Sequence, residues 1–224
     1  MSTWVKAVTV ARRQLRRYRR IYRVISISSR SEAVKWSAIS SLSSSIASAS
    51  SIHSMLSALN VIQTMGAVIT HNYVGKDIIG QVGILIYSLR KGRRADTAPD
   101  IHIKRGLTVQ YAAYAIEGIA PFLISLNPLL FLPVTGLSNI GKNLGWITLG
   151  AINAKVINKV GDEHIGEMYS RMSAINTIAS SVGLTIGLIT VAAIPSHTVR
   201  SAVVVPICGI IHWYASKRLL TLIK

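Results

Sequence analysis

Residues 174–194 read AINTIASSVGLTIGLITVAAI, twenty-one consecutive positions without a charge. At a rise of about 1.5 Å per residue, a helix of that length reaches about 31 Å, enough to cross a hydrocarbon core of roughly 30 Å. Working outward, residues 107–126 carry one charge, Glu117, and residues 128–152 carry one, Lys142. Residues 201–216 carry none, with Arg200 and Lys217 at their edges. Asn127-Pro128 interrupts the first pair of runs and Pro195-Ser196-His197 the second, each short enough only for a tight helix–helix connection. The pattern predicts two helical hairpins, 107–152 and 174–216, hence four membrane spans. Lys and Arg accumulate on the side of a membrane from which a chain is not translocated. With hairpin tips at Asn127 and Pro195, the basic segments Arg90–Arg105, Lys155–Arg171 and Lys217–Lys224 all fall on one side, and the tips hold only Arg200. The competing expectation is a water-soluble helical domain with very apolar buried helices, because Ser, Thr, Asn and Gly interrupt most of the runs.

Composition points the same way. Half of the 224 residues are hydrophobic, and 25 Lys and Arg face 8 Asp and Glu for a formal charge of +17. The mean hydropathy is +0.43. So large a positive charge repels itself in a compact monomer and calls for a standing anionic partner, an acidic leaflet or nucleic acid. The single cysteine, Cys208, excludes an intrachain disulfide framework and a multi-cysteine zinc site.

The charge is densest at the start. Ten of the basic residues lie in the first thirty-five positions against one acid, Glu32. Trp4, Val8, Ala11, Leu15, Tyr18, Tyr22 and Ile25 recur at spacings of four and three. They line one face of a helix that Arg12, Arg13, Arg16, Arg17, Arg19, Arg20 and Arg23 flank. Residues 1–30 are accordingly expected to form a basic amphipathic helix or targeting segment, and 31–224 a helical membrane domain. With Arg93 and Arg94, those arginines are the expected contacts to an anionic lipid surface, cardiolipin included.

Between these regions, residues 37–57 hold eleven serines. Ile39, Leu42, Ile46, Ala49, Ile52 and Leu56 keep helical spacing through them, which favours a helix whose small residues pack closely on a neighbour. Residues 58–89 are apolar but broken near Gly66, His71-Asn72 and Gly75, as one broken helix or a third hairpin. If Arg90 shares a side with the amino terminus, an even number of crossings separates them.

No catalytic constellation stands out. Gly136-Leu137-Ser138-Asn139-Ile140-Gly141-Lys142-Asn143 matches a phosphate-cradling loop except at its last position, where Asn143 replaces the magnesium-holding hydroxyl, and no strand ending in Asp follows. Gly136, Gly141 and Gly145, and likewise Gly183 and Gly187, are better read as flat faces for helix packing. The six histidines stand far apart from one another, and the serines form no G-x-S-x-G elbow. No cofactor or metal is expected. Glu117 and Lys142 are the exception, since a charge near mid-membrane costs about 2.5–3.5 kcal/mol on insertion scales and marks a pathway or a pair. Counted from the Asn127 tip their depths differ by only about 8 Å, within reach of a long Lys side chain, so either the two pair and staple the hairpin or each snorkels or faces another subunit.

Five blocks occur in order. They are Trp36-Ser37 with Leu42; Gly75-Lys76-Asp77-Ile78-Ile79-Gly80-Gln81-Val82-Gly83; Ser138-Asn139-Ile140-Gly141-Lys142-Asn143 with Trp146; Ile165-Gly166-Glu167; and Asn176-Thr177-Ile178-Ala179-Ser180-Ser181 before Gly183 and Gly187. Over about residues 36–194 they resemble the conserved blocks of the root UVB-sensitive family. The resemblance implies a eukaryotic protein associated with mitochondria or plastids and linked to ultraviolet-B responses and vitamin B6 homoeostasis, with no established catalysis. Two features depart from the family pattern. The stretch 90–106 is basic where the family is acidic and tryptophan-containing, and the chain stops at Lys224 without the family's carboxy-terminal soluble region.

The expected function is a non-catalytic accessory subunit of a mitochondrial inner-membrane complex, its partners being anionic lipids and neighbouring subunits. A plastid membrane is the alternative location. The functional rivals are a vitamin B6-related carrier, with Glu117, Lys142, Lys76 and Asp77 along a solute path, and an organellar-ribosome protein using RRQLRRYRRIYR for phosphate contacts and stacking.

Overall fold

The computed structural model describes residues 3–59, 74–87, 89, 99–161 and 164–223, with side chains from Ser31 onward except Pro99. The described residues are almost entirely helical, with no strand among them. Helix α1 runs Thr3–Ala58, α2 spans 74–87, and α3 spans Pro99–Leu126. A 3-10 turn at Pro128–Leu130 leads into α4 (Phe131–Gly161), followed by α5 (Ile165–Ala193) and α6 (His197–Thr221).

The turn signals work as local chemistry predicts. Asn127 accepts a hydrogen bond from the Leu129 amide at 3.0 Å, and Pro128 opens the 3-10 turn with a ring that fits a first helical position. Ser196 accepts from the Val199 amide at 3.4 Å and caps α6.

Two apolar clusters fix the helix directions. At one end, here the base, Ala33, Ile103, Leu107, Val160, Met168 and Leu219 meet. At the other end, the tip, Met55, Ala58, Ala120, Ile124 and Phe131 meet. Thus α1 rises from base to tip. Helix α2 descends, with Gly75 at Leu132 and Tyr87 hydrogen-bonded to His102 at 3.1 Å. Helices α3 to α6 alternate up and down. Among the described residues two traverses, α1 and α2, precede position 90.

Laterally, α1 packs along both α5 and α6, α6 along α3, and α3 along α4, while α2 covers the outer side of α4. Helices α2 and α5 are thus the two edges. At one crossing the sequence explains the contact directly. Pro121 has no N–H to give the Glu117 carbonyl, and Ser201 Oγ from α6 donates to that carbonyl at 2.8 Å instead.

Polarity is distributed inside out. Buried positions include Ser40, Ser44, Ser50, Ser54, Gln110, Glu117, Arg200, His212 and Ser216. Large aliphatics such as Ile178, Leu188, Ile189, Ile119, Ile207 and Leu85 face outward. A water-soluble globule arranges these the other way round. The serine-rich stretch is indeed a packed helix: Ser43 and Ser54 donate back to the Ile39 and Ser50 carbonyls, while Ser44 meets Tyr114 Oη at 2.9 Å and Ser37 donates to Asn176 at 2.9 Å.

Among the described residues three helices, Asp100–Leu126, Ile165–Ala193 and His197–Thr221, are long and apolar enough to cross a membrane, where the sequence predicts four spans in two hairpins. The fourth predicted span lies in α4, which carries Lys142, Lys155 and Lys159 and packs antiparallel to α3. Any slab that α3 crosses, α4 crosses with it, its charge held by neighbours rather than excluded.

The base end carries a girdle of aromatic rings and cations. Trp36 stacks edge-on with Tyr214 at 5.7 Å between ring centroids, and Tyr111 lies 6.3 Å from Trp213. Lys217 sits 4.7 Å over Trp213, and Arg218 lies 5.5 Å from the Trp36 ring. Such rings favour the headgroup layer.

The backbone of α1 is helical without a break through position 30, so the expected boundary between 1–30 and 31–224 falls inside one helix. The side chains of Arg12, Arg13, Arg16, Arg17, Arg19, Arg20 and Arg23, and residues 93 and 94 altogether, lie outside the described residues, as do 60–73.

Candidate functional site

Helices α2, α3 and α4 bring four charged side chains together, three of them buried. Glu117 on α3 and Lys142 on α4 form a buried ion pair. Side chains of a helix lean toward its amino end, which for α4 is the tip, so Lys142 leans up to the level of Glu117. On α2, Lys76 pairs with Asp77 at 3.6 Å and lies within electrostatic reach of both Lys142 and Glu117. Asn139 ties the two halves together, its amide donating to the Lys76 carbonyl at 3.0 Å and to Asp77 Oδ1 at 3.1 Å. Buried Lys76, Glu117 and Lys142 and the exposed carboxylate of Asp77 together carry no net charge, so the buried charges are compensated.

The glycines allow this approach. A Cβ at Gly80 would stand 2.5 Å from Asn139 Nδ2, and one at Gly136 would stand 2.9 Å from Ile79. Gly141 lies against Ala113 and the Val109 carbonyl, and Gly145 against Gln110. Residues 136–143 are helical along their whole length, so they do not form the loop that a phosphate cradle needs. The blocks Gly75–Gly83 and Ser138–Asn143, far apart in sequence, are two faces of one interface. Their juxtaposition is not readable from either block, because nothing local in α2 names α4 as its neighbour.

Gly183 and Gly187 serve the other edge, where α5 meets α1. A Cβ at Gly183 would lie 2.5 Å from the Leu42 carbonyl oxygen, and one at Gly187 would lie 2.6 Å from the Ala49 Cβ. Backbone on the facing side cannot yield. Gly183→Val is expected to lower stability by about 3 kcal/mol, while Gly166→Ala, with open space around it, stays within about 1 kcal/mol of the parent. Thermal unfolding of both variants in one detergent checks the contrast.

A second polar centre, missed in the sequence, lies near the tip. Arg200, 1% exposed, donates from Nε to Ser54 Oγ at 3.0 Å and from Nη1 to the Val191 and Ile194 carbonyls at 3.2 and 2.7 Å. Its Nη2 lies 3.0 Å from His53 Nδ1. A guanidinium only donates, so that imidazole nitrogen presents its lone pair. Nearer the base, His212 contacts Ser40 at 3.0 Å and meets the edge of Tyr114. Three buried atoms along this core, Gln110 Nε2, Glu117 Oε2 and His212 Nε2, have no hydrogen-bond partner. Among the described residues no group of three or more His, Cys, Asp or Glu is placed to hold a metal ion.

No curated protein and no solved structure matches the chain. A family model described as the vitamin B6 photo-protection and homoeostasis domain matches residues 32–224, nearly all of the helical bundle and both faces of the charge cluster. With that match and the ordered blocks that carry the same resemblance, the chain belongs to the root UVB-sensitive, vitamin B6 photo-protection and homoeostasis family.

Proposed function

We propose that the chain acts without chemistry of its own, as an accessory helical subunit of a larger assembly in the mitochondrial inner membrane that serves vitamin B6 homoeostasis. The observation that supports this most is the surface of α5. The most hydropathic of the candidate spans buries only Met168, Met172, Gly183 and Gly187, and leaves most of its other residues exposed. That surface mixes aliphatics with Ser173, Thr177, Ser181 and Thr185, a composition suited to a protein neighbour better than to acyl chains alone. The aromatic and cationic base belongs in a headgroup layer, where the arginines of residues 1–30 would grip anionic lipid, cardiolipin among them.

Alkaline carbonate is expected to leave the chain in the membrane pellet, and mild detergent is expected to release it in a particle far larger than 24.3 kDa. Extraction into the carbonate supernatant would refute a membrane-spanning subunit, and a lone monomer in mild detergent would refute the assembly. A carrier is the second proposal, supported by the convergence of Lys76, Asp77, Glu117 and Lys142. A carrier would move pyridoxal phosphate into liposomes that hold only this chain, and a subunit would not.

A further inference from the structure

Where α5 turns into α6 at the tip, one side chain holds the turn to α1. Arg200 of α6 reaches α1 through two polar contacts, Nε to Ser54 Oγ and Nη2 to His53 Nδ1, at 3.0 Å each. Its Nη1 meanwhile holds the Val191 and Ile194 carbonyls of α5. Every guanidinium nitrogen donates, so the contact with His53 exists only while Nδ1 carries a lone pair, which means a neutral ring with its proton on Nε2. Arg200 is buried but His53 is partly exposed, so solvent protons reach the ring although the guanidinium behind it is closed off.

We propose that His53 and Arg200 form an acid-sensitive latch, closed over the α5–α6 turn while the imidazole is neutral and opened by its protonation. An imidazolium has no lone pair for Arg200 and sets a second positive charge 3.0 Å from the first. It has another partner at hand. Ser57 Oγ lies 3.2 Å from the same Nδ1 and gives its own hydrogen to the His53 carbonyl at 2.8 Å, so its oxygen is free to accept the new N–H. Protonation thus trades a contact between helices for one within α1 and leaves Ser54 to hold Arg200 there.

Among the described residues no carboxylate offsets the two cations. Helix α1 carries no other ionisable side chain from Trp36 to its end, α5 carries none after Arg171, and α4 carries none before Lys142. Beside Arg200, α6 brings His197, which lies 3.4 Å from Ser125 of α3. On the tip-side half of α3 the acid is Glu117, matched by Lys142, and on α2 Asp77 pairs with Lys76 beyond α4. Free imidazole takes up a proton at about pH 6.5. The closed latch excludes that proton, so closure is favoured above this pH and lost below it, and the open population should grow about tenfold from pH 7.5 to 5.5.

Hydrogen exchange of the whole chain in detergent measures this, with each amide rate divided by its intrinsic rate at that pH. In the parent, amides of residues 190–201 should open about tenfold more at pH 5.5, while those of 215–221 at the base stay unchanged. His53→Asn keeps an acceptor oxygen at the place of Nδ1 and does not titrate, so its exchange should be slow at both pH values. His53→Leu offers no acceptor and should exchange fast at both, and His197→Asn should keep the parent's response. A parent equally protected at both pH values overturns the latch without any variant. A response that persists in His53→Asn assigns the titration to another group, and an equal rise at the base makes the opening global; each overturns it too.

Discussion

Lys142→Ala and Glu117→Ala are each expected to lower the stability of the detergent-solubilised chain by about 3–5 kcal/mol, because each leaves the other's charge buried and uncompensated. Both groups are nearly inaccessible, Glu117 at 3% and Lys142 at 8%, so water cannot take over the lost partner. Glu117→Gln is the milder probe, keeping shape and a hydrogen-bonding oxygen while removing the charge that neutralises Lys142. The decisive variant is the exchange, Glu117→Lys with Lys142→Glu. It restores a pair across the same helix interface and should recover most of what each single reversal loses. An exchange as poor as the sum of the two reversals, measured by thermal unfolding, would show that the two charges do not stabilise each other.

The second large effect is expected at Arg200. Arg200→Leu removes the donors of Ser54, His53 and two carbonyls at once, at a cost of about 1–3 kcal/mol for each buried group left unsatisfied. The Val191 and Ile194 carbonyls belong to the carboxy-terminal end of α5, where no further turn supplies N–H groups. Arg200 therefore caps α5 while anchoring the α5–α6 tip to α1. Arg200→Lys keeps the charge but not the planar fork, and should recover less than half of the loss. Arg218→Ala, on an arginine packed over a ring near the base surface, should change stability by about 0.5 kcal/mol or less. Melting temperatures order the three variants, and protease cleavage near Pro195 should rise in Arg200→Leu alone. An Arg200→Leu chain as stable as the parent would deny the anchoring role.

The parts of this fold that are legible in the sequence are those set by local chemistry and by length. Asn127-Pro128 and Pro195-Ser196 mark the hairpin tips because caps and proline act within a few residues. The meeting of Glu117 and Lys142 follows from counting residues on either side of one tip. Helical spacing through the serines shows that 37–57 is a helix that packs. What it packs on is hidden, because Ser40 finds His212 and Ser37 finds Asn176 across most of the chain. Arg200 reads in the sequence as an edge charge, since its partners His53 and Ser54 lie 147 and 146 positions away. Hydropathy likewise undervalues α4 as a traverse, because its asparagines, glycines and lysines lower the mean although Lys142 is matched by Glu117 and Asn139 bonds to α2.

The serine side of α1 has a consequence for how the chain is made. This helix leaves the ribosome before the surfaces that accept its hydroxyls and small faces, which lie on α5 and α6. During that interval an unaccompanied α1 would turn buried serines toward acyl chains, with too little aliphatic surface to hold it in the bilayer. Stable insertion of α1 is therefore expected only once α5 and α6 are present. A nascent chain truncated before residue 165 would then remain accessible from the aqueous side along α1, although every residue of that helix has already been translated.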